Sequence, residues 1–309
     1  MTGALLVTGG YGFIGRNVAR RFAQAGWTVS GIGHGAWSEP EFRDWGFKTW
    51  HTADVTLQNL LASGGEPDVI VHCAGASSVG YSIEHPLEDF ERSVATTAAV
   101  LEFARRWALR ARIVLPSSGA VYGAARSLPI AETAALNPVS PYGAHKRIAE
   151  ELCRMYGAQF GIASCVIRFF SAYGEGLRKQ LLWDACRRLS AGQHYFGGTG
   201  KEVRDWLHVS DVASLALLAH EAASANCPTL NGGTGIGVAV SQLLAEIYAA
   251  FGVTGAPRFS GEPRRGDPAA YVADISAAAK LGWQPAVSWK QGVHAYVSWF
   301  KGLADVRRA

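Results

Sequence analysis

Leu5-Leu6-Val7-Thr8-Gly9-Gly10-Tyr11-Gly12-Phe13-Ile14-Gly15 is the stretch that decides the fold. An apolar run enters glycines spaced G-x-x-G-x-x-G (Gly9, Gly12, Gly15), and Ile14, Val18 and Phe22 then recur every four residues, the stripe of an amphipathic helix. A strand feeding a glycine turn and then a helix is a way to hold a pyrophosphate. Gly9 permits the tight turn, Gly12 lets the backbone approach phosphate, Gly15 allows close helix–strand packing, and the helix N-terminus meets the negative charge. Three glycines alone are often only a turn. The strand before them and the helix after them give these their meaning.

Working outward, Ala4–Thr8 reads as the first strand, and Thr28–Ile32, Asp68–Cys73, Arg112–Leu115 and Ile162–Arg168 as later ones. Between them fall a long helix containing Val94–Trp107 and a helix from Pro141 to about Tyr156. Proline at a helix start loses nothing, since its missing N–H has no partner there. Strands alternating with helices predict parallel βαβ units. The expectation is an α/β, Rossmann-type doubly wound parallel sheet over residues 1–170. Beyond about 170 the alternation breaks, which predicts a smaller C-terminal substrate-binding lobe over 171–309. Residues from about 205 to 235 return to the main domain, with Thr229–Asn231 as a core strand.

The chain has 309 residues, 49% hydrophobic and 17% charged, with a net charge of +4. That excludes a disordered chain, and the absence of long Lys/Arg runs argues against nucleic acid while allowing an anionic small molecule. Five scattered cysteines without C-x-x-C spacing fit reduced thiols rather than a disulfide frame or zinc site. With no signal peptide and no span-length apolar stretch, the expectation is a soluble, cytoplasmic protein with no metal and no membrane contact.

At the end of the second strand, a carboxylate would bind an unphosphorylated adenosine ribose. Gly33 and His34 stand there instead, and no acid follows until Glu39. The missing acid leans slightly towards NADP over NAD, with His34 either a phosphate or adenine contact or a solvated loop residue. Asp54 reads as an acceptor for the adenine amino group or as an ordinary helix cap. Downstream, Tyr142 and Lys146 share a helix face. A neighbouring ammonium favours a phenolate, so Tyr142 reads as a general acid/base for a carbinol that exchanges hydride with a nicotinamide, and Lys146 as a grip on the nicotinamide ribose. They follow a strand ending in Pro116-Ser117-Ser118. Ser118 is the candidate to hydrogen-bond the reacting oxygen, with Ser117 a packing or cap residue.

In these motifs, with HCAGASSVGYSIEHP, SSGAVYG, YGAHK, RFFSAYG, VRDWLHVSD and RRGD followed by Tyr271, the chain resembles the extended short-chain dehydrogenases/reductases of the sugar-nucleotide epimerase/dehydratase family. The resemblance covers nearly the whole chain. It implies bound NAD or NADP, a nucleotide-diphosphate sugar as substrate and a homodimer packed through long helices. It also implies Ser118, Tyr142 and Lys146 as the catalytic residues. Gly9, Gly12, Phe13, Ile14, Gly15, His34, Asp54, Val55, Cys73, Ala74, Gly75, Tyr142, Lys146 and Phe169 become expected cofactor contacts. Ser78, Ser118, Ser171, Arg204 and Arg264 become expected substrate contacts, the arginines on the diphosphate with Arg265 as a substitute for Arg264. Tyr195, Phe196 and Trp206 border the base or sugar, or belong to the core.

Some positions depart from the family pattern. Ser171 and Ser93 stand where asparagines are usual, and Gly119-Ala120 replace the Asp-Glu pair that dehydration needs, which disfavours a dehydratase. A 4-epimerase, working by transient oxidation at C4 with Tyr142 as base, and an NADPH-dependent 4-ketoreductase use the same three residues. The overall pattern favours the epimerase and Gly33 the reductase. A non-catalytic dinucleotide-binding scaffold is the distant alternative, disfavoured because Ser118, Tyr142 and Lys146 are all present.

Overall fold

The computed structural model describes residues 3–125, 127–262 and 268–306. In the first half, strands Ala4–Thr8 (β1), Thr28–Gly33 (β2), Phe47–Thr52 (β3), Val69–His72 (β4), Arg112–Ser118 (β5) and Ser164–Phe169 (β6) are threaded by helices. These are Phe13–Gln24 (α1), Glu39–Asp44 (α2), Leu57–Ser63 (α3), Val79–Glu84 (α4), Pro86–Phe90 (α5), Thr96–Trp107 (α6) and Pro141–Phe160 (α7). A π turn, Glu91–Ala95, joins α5 to α6. The second half has shorter strands Ser171–Tyr173 (β7), Tyr195–Phe196 (β8), Val203–His208 (β9), Thr229–Gly232 (β10), Gly237–Ala239 (β11) and Arg258–Phe259 (β12). Its helices are Gln180–Ser190 (α8), Val209–Ala222 (α9), Val240–Phe251 (α10), Ser276–Lys280 (α11) and Trp289–Val306 (α12).

Seven strands form one parallel sheet in the order β3-β2-β1-β4-β5-β6-β10, the doubly wound architecture read from the sequence. Side chains alternate across a strand. Leu5, Val7 and Val114 therefore enter one core layer with Val18 and Phe22 of α1 and Leu215 of α9. Leu6, Ile113 and Leu115 enter the opposite layer with Leu60 of α3, Leu101 of α6 and Cys153 of α7. Both faces are covered, which is why these strands are apolar throughout rather than alternating. A third core gathers Leu182 of α8, Ile247 of α10 and Val293 of α12 around Trp206 of β9, beside a three-stranded sheet ordered β11-β9-β7.

Strand β5 runs three residues past the expected Leu115, through Pro116. Its pairing with β4 stops at Val71 and Val114, while pairing with β6 continues to Ser118 and Phe169. The Pro116 carbonyl accepts from Lys146 Nζ at 3.2 Å, so it faces the edge that β4 has vacated. A residue's N–H and C=O point to the same side of a strand, so the missing donor falls where no ladder partner waits.

Beneath that strand end lies a buried polar network. The Glu150 carboxylate on α7 accepts from Ser117 Oγ at 2.6 Å, Arg168 Nε at 3.0 Å and Arg168 Nη2 at 2.7 Å, with Arg154 adding a contact at 3.1 Å. Arg168 also donates to Tyr122, whose hydroxyl donates to Asn231 of β10. Removing one member of a buried pair strands the other's charge. Arg168→Met is expected to destabilise the protein by about 3–5 kcal/mol in urea unfolding. Glu150→Met combined with Arg168→Met should recover part of that loss; a double variant as unstable as the sum of its parts would contradict the pairing.

Candidate active site

The glycine turn sits where sheet order reverses between β1 and β4, the crevice at which α/β sheets take ligands. Gly9 has a left-handed backbone (φ 69), and a Cβ there would lie 2.5 Å from Ala74 N. A Cβ on Gly15 would lie 2.5 Å from Gly9 O. Side chains are excluded at both positions by close packing. Gly12 is the N-cap of α1, but no side chain caps that helix and no acid occupies its first turn. Its first amides are thus left to an outside acceptor. The residues present fit a dinucleotide pyrophosphate.

Around this cradle, Ala74 N donates to Thr8 Oγ1 at 3.4 Å, and Thr8 Oγ1 meets His72 Nδ1 at 2.6 Å. Burial, then the Lys146 charge, pushes His72 down to about 3, so it is neutral. Burial likewise pushes the Cys73 thiol up to about 12, which leaves Cys73 a wall residue rather than a nucleophile. A Cβ on Gly75 would come within 3.4 Å of Lys146 Nζ. Ser93, standing where an asparagine was anticipated, accepts from Ala76 N at 3.3 Å. Phe13 packs against the third core and Ile14 against the first. Val55 lies in the core with Leu6 and Ile32. At the open end, His34 Nε2 and Asp54 Oδ1 are 3.1 Å apart and well exposed. An acid does stand near the end of β2, contributed from beyond β3.

Ser140 caps α7 by accepting from Gly143 N at 3.2 Å, and Pro141 takes the first turn. This start delivers Tyr142 to the cavity and Lys146 beneath it. Tyr142 and Ser118 line the same cavity wall, and Lys146 Nζ lies 5.9 Å from the Tyr142 ring centroid. The structure thus brings Ser118, Tyr142 and Lys146 together. The electrostatics differ from the sequence reading, however. Burial is the largest influence on Tyr142 and pushes its phenol above the ordinary range. The nearby Ser118 hydroxyl opposes this, and the Asp89 charge adds to it. Lys146 is itself lowered by burial. The expected acidification of Tyr142 by its neighbouring amine is not what this arrangement yields.

Asp89, absent from the sequence reading, is fully buried on α5. Its Oδ2 meets His145 Nδ1 at 2.6 Å, and its Oδ1 has no partner among the described residues. The signal available was an acid two helices away from YGAHK, which only the fold brings close.

Ser118, Tyr142, Phe169, Ser171, Ser78 and Arg204 all line one cavity of about 670 Å³. Ser78 also caps α4, accepting from Tyr81 N at 3.3 Å. Arg204 donates to Val203 O at 2.8 Å and lies 5.8 Å from the Tyr271 ring. A surface pair between Arg204 and Asp205 is excluded: Asp205 is fully buried. Its carboxylate accepts from Thr234 N at 2.6 Å, Gly235 N at 2.9 Å and Ala273 N at 3.1 Å. Trp206 lines the cavity and belongs to the third core; Phe196 is core and Tyr195 exposed. Arg264 and Arg265 lie outside the described residues. Lys179, which the sequence reading missed, also lines the cavity and donates to Ser77 Oγ at 2.6 Å. Among the described residues there is no His/Cys/Asp/Glu group suited to a metal and no helix long and apolar enough to cross a membrane.

Residues 5–231 match the NAD dependent epimerase/dehydratase family, and the chain belongs to that family. The UDP-glucose 4-epimerase of Mycolicibacterium smegmatis is 31% identical, the match covering 97% of this chain and 99% of that one. The solved UDP-glucose 4-epimerase of Thermotoga maritima, bound to UDP-glucose, superposes with a TM-score of 0.88 at 26% identity, over 97% of this chain and 99% of that one. The UDP-glucose-4-epimerase of Stenotrophomonas maltophila, with bound NAD and formylated UDP-arabinopyranose, gives 0.86 at 26% identity, over 98% and 99%. The lean towards NADP drawn from Gly33 finds no support in these relatives.

The uncapped start of α1 yields an opposed pair of effects. Gly12 has extended backbone (φ −66, ψ 166), so Gly12→Asp is tolerated if Gly9 O, 3.1 Å from the added Cβ, gives slightly. A carboxylate there caps the helix and occupies the anion's place. Urea stability is expected to stay within about 1 kcal/mol of the parent, while dinucleotide retained through purification, read at 260 nm, drops to background.

Proposed function

We propose that the chain is an NAD-dependent UDP-sugar 4-epimerase. The observation that carries this reading is the convergence of Ser118 and Tyr142 on one cavity wall, with the buried Lys146 ammonium beneath and the glycine cradle alongside. Residues 171–309 supply the opposite wall and act as the sugar-nucleotide lobe. The match to UDP-glucose 4-epimerases along nearly the full length of both chains supports the same activity.

In this mechanism Gly9, Gly12 and the first turn of α1 hold the pyrophosphate of NAD, Asp54 and His34 flank its adenosine, and Lys146 grips its nicotinamide ribose. Bound NAD supplies a hydride acceptor and donor, and a positively charged ring whose field opposes the desolvation of a Tyr142 phenolate. Tyr142 takes the proton from the C4 hydroxyl as C4 is oxidised. Ser118 donates to the same oxygen and holds it through the change from alcohol to ketone. The 4-keto sugar turns over in the cavity, and Tyr142 returns the proton when C4 is reduced on its other face. Arg204, with Arg264, grips the diphosphate so that the ring can rotate without escaping.

The assay is interconversion of UDP-glucose and UDP-galactose by purified protein with no added cofactor. Turnover under those conditions supports the epimerase. A requirement for NADPH and a keto sugar would replace it with the ketoreductase, and silence with both would leave the scaffold. Tyr142→Phe is expected to abolish turnover while bound cofactor is retained, and Ser118→Ala to lower kcat by about 10²–10³. Burial holds the Tyr142 phenol above its ordinary range in the cofactor-free protein, and the reaction needs its deprotonated form. The oxidative half-reaction should therefore quicken as pH rises, and the ascending limb should vanish in Tyr142→Phe; a limb that survives would move the base elsewhere.

The functional unit in this reading is a homodimer. Phe90 of α5 and Ile148 and Met155 of α7 are exposed apolar side chains, and positions 148 and 155 share one face of α7. Ile148→Asp is expected to yield a monomer in sedimentation; an unchanged species would move the interface to another face.

A further inference from the structure

Lys146 is a buried ammonium whose charge is balanced by nothing it touches. Its Nζ donates to the neutral Pro116 carbonyl at 3.2 Å, and among the described residues it makes no ion pair. A charge buried in that way is unfavourable unless an opposite one stands nearby. Burial pulls the Lys146 ammonium below the usual lysine range, and Cys73, Asp89 and Glu150 work against it. Two of these three have no free charge to offer. Cys73 is a thiol pushed up to about 12 by burial, and Glu150 is engaged by Arg168 and Arg154. Asp89 remains.

The fold sets this carboxylate beside both reacting groups. Asp89 Oδ2 meets His145 Nδ1 at 2.6 Å. His145 immediately precedes Lys146 and lies three residues beyond Tyr142 on α7, so the two helical neighbours flank the contact. From the other side, Asp89 and Ser93 are both buried and stand four residues apart, where α5 passes into the π turn. A Cβ on Gly75 would meet Lys146 Nζ at 3.4 Å and Ser93 Oγ at 3.7 Å, which brings the same segment to the ammonium.

No other charge cancels Asp89. Helix α5 packs against α4, α7 and the π turn. Glu88 of α5 is taken by Tyr81 of α4 and Arg92 of the π turn. Glu84 and His85 of α4, Glu91 of the π turn and Arg147 of α7 are exposed. Only His145 reaches the carboxylate, and Oδ1 keeps no partner among the described residues.

We propose that Asp89, held by His145, is the counter-charge of Lys146 and a positioning residue for proton transfer at Tyr142. This rests on the epimerase reading above and adds a residue to its machinery. One carboxylate acts on both groups. It favours the charged ammonium, and it adds to the burial that holds the Tyr142 phenol protonated. Without its charge Tyr142 becomes the easier acid.

The test is Asp89→Asn, which keeps the side-chain shape and an acceptor for His145 but removes the charge; Asp89→Ser replaces it if the asparagine variant does not fold. Melting temperature and NAD content are checked alongside. Tyr142 is titrated in NAD-loaded protein by NMR of ring-labelled tyrosine, its resonance identified as the one missing from Tyr142→Phe. The midpoint is expected to fall by about one pH unit in Asp89→Asn, and the ascending limb of the epimerisation profile to move to lower pH with it. An unmoved or rising midpoint overturns the proposal even where kcat drops, because a purely structural role scales the rate without shifting the titration. If neither UDP-glucose nor UDP-galactose is turned over by the parent, the epimerase reading falls, and the NMR midpoint still decides whether Asp89 acts on Tyr142.

Discussion

The positions of Ser118, Tyr142 and Lys146 depend on one buried carboxylate. Glu150 is fully buried on α7, where it binds Arg168 of β6 through two nitrogens and Ser117 of β5 through a short hydroxyl bond. Those contacts tie the helix that carries Tyr142 and Lys146 to the strand that carries Ser118. Burial alone would let α7 slide or rotate by a fraction of a turn, because apolar packing is tolerant of small shifts. A two-nitrogen guanidinium fork on a carboxylate is not, since it fixes both distance and orientation. The gap in the β4 ladder beyond Val114 serves the same end, leaving the Pro116 carbonyl free to receive Lys146.

That rigidity sets the proton chemistry of the site. A phenol enclosed this closely loses water faster than it gains help from an ammonium 5.9 Å from its ring, so the protein without cofactor keeps Tyr142 protonated. The buried Asp89 pushes the same way while supporting the positive charge of Lys146. A resting state with a neutral phenol and no excess negative charge suits the anionic sugar nucleotide of the proposed function. In the proposed mechanism the base is generated when the positively charged ring of NAD enters the crevice.

The sheet was readable in the sequence because its determinants are local. Apolar runs, four-residue stripes and glycines in fixed order report strands, helices and tight turns directly, and Tyr142 and Lys146 share a face by helical geometry alone. Other features depend on pairs far apart in the chain. Arg168 meets Glu150 from another element, Asp54 reaches His34 from beyond β3, and Asp89 meets His145 across two helices. Lys179 sits just before α8, where no periodicity marks it. The phenol's acidity was misjudged for a related reason: spacing reports which charges are near, but only the fold reports how much water is left.

Strand β9 carries its two charged residues on opposite faces, Arg204 to the cavity and Asp205 to the interior. It is the middle strand of its sheet, aligned with β7 through Ser171 and Trp206 and with β11 through Arg204 and Val238. The Asp205 carboxylate adds a further lock by gathering three backbone amides from two separate loops. A slip of one residue along either neighbour would exchange the two faces, sending a guanidinium into the core and presenting a carboxylate to an anionic guest. The sign of the field in this wall is thus written in hydrogen-bond alignment as much as in composition, and the buried aspartate acts as the guard against its inversion.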